Sequence, residues 1–193
     1  MDDLSRLQNV TANYEAYQGL RLVPTALPVA YGGVGALAGG ALDGAVGLAA
    51  FLGSVELAVA LGAFIGRWYQ RRYGVVRPTK EQKRATAVRS LAAIGVVGAA
   101  AFAGLWLDPP VPVFGLVLAA VLALYYRSVG GLRAVHRVAT AGIAIVSLLP
   151  LAGAGDGTTW GTLFLTTAAA FVVIGLADHR YLSVALPPTP EQA

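Results

Sequence analysis

The chain has no cysteine, only two lysines beside twelve arginines, and charged residues at just 12% of its 193 positions. Without cysteine there is no disulfide framework, no thiolate metal site and no cysteine nucleophile. Water-facing domains carry about 25% charge, so half that amount excludes an ordinary soluble surface. Intrinsic disorder is excluded too, because it needs low hydrophobicity and high net charge. Several catalytic signatures are missing as well. There is no paired-histidine helix motif of a zinc protease, no strained serine elbow of a hydrolase and no glycine loop ending in Lys-Ser/Thr. Nothing in the sequence points to a cofactor, a catalytic residue or a metal ligand set.

What is present is apolar. Hydrophobic residues make up 56%, glycines number 24 and the net charge is +4, with a mean hydropathy of +0.65. This composition predicts an all-α fold, a polytopic transmembrane helix bundle. The preference for arginine over lysine suggests a GC-rich genome and hence a bacterial or archaeal cell membrane.

An apolar helix crosses the hydrocarbon in about 17–25 residues, and six segments qualify: 22–39, 45–66, 91–107, 109–126, 138–154 and 160–177. Gly39-Gly40, Asp43-Gly44, Asp108-Pro109-Pro110 and the run 153–157 punctuate them with residues that turn or end a helix. All fourteen basic residues fall on one side if the chain crosses six times, and the opposite turns carry only Asp43, Asp108 and Asp156. By the positive-inside rule both termini are cytoplasmic. Trp68, Tyr69, Tyr125, Tyr126 and Tyr181 mark inner boundaries, and Trp106 and Trp160 outer ones. A competing reading takes Arg21, the apolar run after it and Ala36-Leu37-Ala38 as a cleaved signal peptide. The long, net-negative leading region and the interruptions at Pro24 and Pro28 count against it.

Outside the hydrocarbon, Leu4, Leu7, Val10, Tyr14 and Tyr17 recur at helical spacing and predict an amphipathic interfacial helix over 1–21. It either anchors the terminus or docks a cytoplasmic partner. The segment 67–89 has eight basic residues (Arg67, Arg71, Arg72, Arg77, Lys80, Lys83, Arg84 and Arg89) and one acid, Glu81. Short loops of this charge hold a span inside and attract anionic lipid, which displaces nucleic acid as a partner. Thr79-Lys80-Glu81-Gln82 reads as a capping box from which a helix runs into the third span. That cytoplasmic piece could couple to an ATPase or regulator, or merely connect. Residues 178–193 form a cytoplasmic tail whose prolines leave the end unpacked.

Within the spans, Gly35/Gly39, Gly62/Gly66 and Gly95/Gly98 are candidates for close helix approach, either inside one bundle or in a homo-oligomer. Pro24, Pro28 and Pro150 are candidate kinks. Glu56 is the only ionisable residue well inside any span. A charge at that depth costs about 2.5–3.5 kcal/mol or more, so two readings stand. Either Glu56 is a neutral carboxyl hydrogen-bonded to Ser147 or Thr167 at similar depth, or it is a proton, cation or substrate site facing water or a partner. His136 and His179 lie at inner boundaries and read as interfacial residues rather than ligands. Asp43, Asp108 and Asp156 could gather at one metal, but turn chemistry explains one acid per tight turn.

Two stretches, Trp68-Tyr69-Gln70-Arg71-Arg72-Tyr73-Gly74-Val75-Val76-Arg77-Pro78 and Gly175-Leu176-Ala177-Asp178-His179-Arg180-Tyr181-Leu182, resemble a group of small bacterial multi-span membrane proteins. Those share an aromatic pair, a basic run and an aromatic-Gly-Val after the second span, and a Gly-Leu-x-Asp-His-x-x-Leu ending. This chain has Trp-Tyr where the group has Tyr-Tyr. The resemblance implies no activity, but it raises Asp178 and His179 as motif residues. Two functional expectations result. The first is a non-enzymatic membrane protein working through membrane or cytoplasmic partners. The second is a small transporter or permease subunit using Glu56.

Overall fold

The computed structural model describes residues 14, 17–39, 44–73, 80–107, 109–129 and 131–186. These residues are predominantly helical, joined by short turns, with no strand among them. Two 3-10 turns, Gly19–Arg21 and Val23–Thr25, lead into α1 (Ala26–Leu37). Then follow α2 (Gly44–Tyr73), α3 (Lys80–Leu107), α4 (Val113–Val129), α5 (Ala134–Val146), a 3-10 turn at Leu149–Ala152, and α6 (Asp156–Ala185). Four helical stretches are long and apolar enough to cross a membrane: Gly19–Leu37, Gly44–Tyr73, Arg84–Gly104 and Asp156–Ala185. The helices Val113–Val129 and Ala134–Val146 are apolar but shorter.

Local chemistry sets the ends. Pro24 opens the second 3-10 turn, where its missing N–H breaks no helical bond. Pro150 does not kink a continuous helix: α5 stops at Val146, and Pro150 lies in the first turn of the 3-10 segment. Gly153 closes that segment at φ 85°, a left-handed conformation that costs glycine no Cβ clash. Asp156 lies in the first turn of α6 and Arg71 and Arg72 in the last turn of α2, so each charge opposes the helix dipole there. The helix expected after the capping box begins at Lys80, while Thr79 lies outside the described residues.

The core is built around α6, which packs mainly on α1 and then on α5. Two glycine pairs bring the backbones together. A Cβ added at Gly33 would lie 3.0 Å from the Gly161 carbonyl oxygen, and one at Gly161 would lie 3.0 Å from that of Gly33. Nearer the other end, a Cβ on Gly175 would fall 2.7 Å from the Gly19 carbonyl oxygen. The glycines expected to make close approaches behave differently. Gly62, Gly95 and Gly98 have nothing within 4 Å of an added Cβ, and Gly66 is covered by the Arg21 side chain. The reason is that α2 and α3 lie at the periphery: Val46, Leu57, Val59, Phe64, Leu91 and Ile94 are all exposed. Such continuous apolar exposure is foreign to a soluble surface.

The amphipathic stripe is also changed. Residues 1–13 lie outside the described residues, but Tyr14 and Tyr17 are 4% and 5% exposed and pack with Tyr69 and Leu182. Residues 19–21 form a 3-10 turn, not the end of an α-helix. Two aromatic rings that an interface would accommodate are instead taken into the protein, where they pack with Tyr69 of α2 and Leu182 of α6.

Candidate functional site

The last turns of α6 present Gly175, Asp178 and Leu182 on one buried face. Gly175 sits one turn before Asp178, and its missing side chain admits the Gly19–Arg21 turn, which seals the carboxylate from one side. Asp178 is 1% exposed. A bare buried carboxylate would be costly, so it needs a cation and hydrogen bonds. Arg133, just before α5, supplies the cation through an ion pair to Asp178 Oδ1. Its guanidinium lies 4.7 Å from the Tyr181 ring centre and 5.7 Å from that of Tyr17, distances at which ring quadrupoles attract a cation. Burial pulls the Arg133 pKa below its ordinary value, with the surrounding tyrosines acting in the opposite sense.

His136 lies one turn further on and is 1% exposed, so it is not the interfacial residue its position suggested. Its ring stacks on Tyr126 with centroids 3.9 Å apart and planes 9° from parallel. Nε2 stands 3.1 Å from Asp178 Oδ1. Arg133 Nη2 stands 3.4 Å from the same nitrogen, so Nε2 donates to Asp178 in the tautomer protonated there and accepts from Arg133 in the other, while Nδ1 is buried and has no hydrogen-bond partner among the described residues. Burial first, and Arg133 second, push the His136 pKa down to about 4. His136 is therefore neutral at physiological pH.

A second layer surrounds His179. Tyr69 is fully buried and its hydroxyl meets His179 Nδ1 at 2.9 Å. The same oxygen accepts the Leu20 N–H at 3.3 Å, and the Tyr14 hydroxyl donates to the Tyr69 carbonyl at 3.4 Å. Trp68 sets its ring edge-on to Tyr69 and carries Arg72 at 5.6 Å. Burial and Arg72 lower the His179 pKa. The N-terminal segment, the end of α2, the start of α5 and the end of α6 thus converge at one end of the bundle.

The other candidate residues are scattered. Glu56 lies on an exposed face of α2 and makes no hydrogen bond or ion pair with the described residues. Ser147 is fully buried, donates to the Ile143 carbonyl at 2.8 Å and faces Gly115. Thr167 is buried with its hydroxyl oxygen unpartnered. The structure therefore does not join Glu56 to Ser147 or Thr167: the carboxyl points out of the bundle and the hydroxyls point in. Arg67, Arg71, Lys80 and Arg84 are exposed, and Arg77 and the Lys83 side chain lie outside the described residues. Among the described residues no three His, Asp or Glu side chains come together as a metal would require. Asp43 and Asp108 lie outside them.

Asp178 and His179 were legible as motif residues, but Arg133, His136, Tyr17, Tyr126 and Tyr181 were not legible as their partners. One signal was available. An acid just past the last span, on the side that collects every arginine, calls for a specific cation, and Arg133-x-x-His136 has the i, i+3 spacing of residues on one helical face. No protein-family model matches the chain, and neither does any curated protein or solved structure.

Proposed function

We propose that this chain is a six-span protein of the cell membrane, with its termini and basic loops cytoplasmic, that performs no chemistry of its own and acts through partners. The four long apolar helices support membrane residence. The convergence of Tyr14, Tyr69, Arg133 and Asp178 at one end supports an even number of crossings between these segments. The observation that carries the partner reading is Glu56. Asp178, the one buried carboxylate among the described residues, is paired, whereas Glu56 faces outward from α2 between exposed Leu52 and Val59. In hydrocarbon an unpaired acid is unfavourable by at least about 2.5–3.5 kcal/mol. A second membrane chain contributing a donor would remove that cost, and the exposed faces of α2 and α3 offer the apolar surface to hold it. The basic segment between these helices would then meet a cytoplasmic regulator or ATPase.

The outward carboxyl bears on the transport reading as well. It favours a permease subunit whose cation site is shared with another chain over a conduit inside this one. A photo-crosslinking residue at Val59, installed in living cells, tests the proposal. A discrete adduct that disappears with Glu56→Leu supports a partner at this face, and the absence of any adduct overturns it. Proton flux in liposomes by the isolated chain, lost in Glu56→Gln, would favour the transporter instead.

A further inference from the structure

A cavity of about 540 Å³ opens at the same end of the bundle, between the Gly19–Arg21 turn, α3 and α4, and it reaches the edge of Asp178. It exists because α3 packs on α4 and stands away from the 19–37 segment. Its walls divide by chemistry. Leu22, Ile94 and Leu122 are apolar, while Arg21, Arg89 and Ser90 are polar. Arg21 is held in place: its guanidinium lies over Gly66, where a Cβ would come within 3.5 Å of Nε, and Nη1 donates to Gln18 Oε1 at 3.2 Å. Arg89 forms no hydrogen bond or ion pair with the described residues. Arg21 and Arg89 therefore both line one largely apolar cavity whose one lining carboxylate, Asp178, is already paired with Arg133.

We propose that this cavity binds the phosphate of an anionic lipid. Arg21 and Arg89 clasp its oxygens, Ser90 donates a further hydrogen bond, and the acyl chain lies along Leu22, Ile94 and Leu122. Guanidinium donors suit phosphate because several N–H groups can meet its oxygens at once. The apolar wall selects a lipid over a soluble ion, since an inorganic phosphate would leave that wall wet. The bound lipid would bridge α3 to the 19–22 segment, filling the gap that α3 leaves. This inference rests on the membrane reading above, which puts the basic end at the headgroup level of the inner leaflet.

Native mass spectrometry of the full chain, released from nanodiscs of mixed phosphatidylglycerol and phosphatidylcholine, tests it. The wild type should retain one phosphatidylglycerol in preference to phosphatidylcholine. The Arg21→Gln/Arg89→Gln double variant should retain it about tenfold less per arginine lost, and Arg21→Lys/Arg89→Lys should restore part of the retention and so exclude a folding defect. Arg127→Gln, an exposed basic control on α4, should leave it unchanged. Added inorganic phosphate should not displace the lipid; displacement would identify a soluble oxyanion as the occupant and overturn the lipid assignment. Equal retention by the double glutamine variant, or an equal loss with Arg127→Gln, would overturn the site. A chain that is monodisperse without detergent would refute the membrane reading itself, whereas an inserted chain without lipid preference would refute only this cavity.

Discussion

Asp178 holds together groups from three parts of the chain, so its removal acts on all of them. In Asp178→Asn the Arg133 guanidinium keeps its tyrosines but loses its counter-charge. Breaking a buried pair costs about 3–5 kcal/mol, and the 27% exposure of the Arg133 side chain places this one at the low end. Thermal unfolding in detergent should fall accordingly, and adding Arg133→Gln should recover part of the loss, because the uncompensated cation is then gone. His136 adds a pH dependence with a definite sign. Its folded pKa is about 4 against an ordinary 6.5, so the unfolded chain takes up the proton first as pH falls. Its stabilisation is complete above pH 6.5 and is lost as the pH falls from there toward 4. Melting temperatures across that window should show the decline. In His136→Phe, which keeps the stack on Tyr126 but cannot titrate, the decline should shrink, with about 1 kcal/mol lost at neutral pH for the missing hydrogen bond.

Helix packing in this protein is decided by which glycines face a backbone. At Gly161 an added methyl would fall 2.4 Å from Leu37 Cγ and 3.0 Å from the Gly33 carbonyl oxygen, and at Gly175 it would meet Gly19 and Val23, each at 2.7 Å. Gly161→Ala and Gly175→Ala should each destabilise the bundle by about 1–3 kcal/mol through overpacking, the second also loosening the seal over Asp178. Gly98→Ala, in open space on α3, should be neutral or slightly stabilising in the isolated chain, because alanine is the better helix former. Melts of the three purified variants in one detergent check the order. Sequence spacing could not rank these positions. Gly62/Gly66 and Gly95/Gly98 have the same appearance as Gly33 and Gly161 in a linear reading, and only the crossing of α1 over α6 separates contact from exposure. The proline reading failed for a related reason. Pro150 was expected within a continuous span, but the chain ends α5 early and uses a 3-10 turn whose first residues need no N–H.

At the scale of the molecule, the proposed six crossings would put every basic residue on one side, and the absence of native cysteine makes this directly testable. Thr158→Cys, exposed at the start of α6, should react with an impermeant maleimide added to intact cells, while Ser128→Cys, exposed at the end of α4, should react only after lysis. Labelling of Ser128→Cys from outside would break the topology. Much of this level was readable from one dimension. Hydropathy and the placement of arginine are local properties, and they were sufficient to predict an all-helical chain with helices long enough for a bilayer. The candidate site was half readable. Asp178 and Glu56 stand out because an acid is rare in such a composition, but their opposite fates, one buried and paired and the other turned outward, depend on which face of α6 or α2 meets the bundle. His136 meets Asp178 across 42 residues, and Tyr69 meets His179 across 110. Helix formation and the apolar length that suits a bilayer follow from each segment's own side chains, so the sequence alone determined them. The Arg133–Asp178–His136 cluster exists only because α6 is drawn against the Gly19 turn and α5, and the cavity beside it only because α3 packs on α4; contacts between such distant segments leave no periodic mark along the chain.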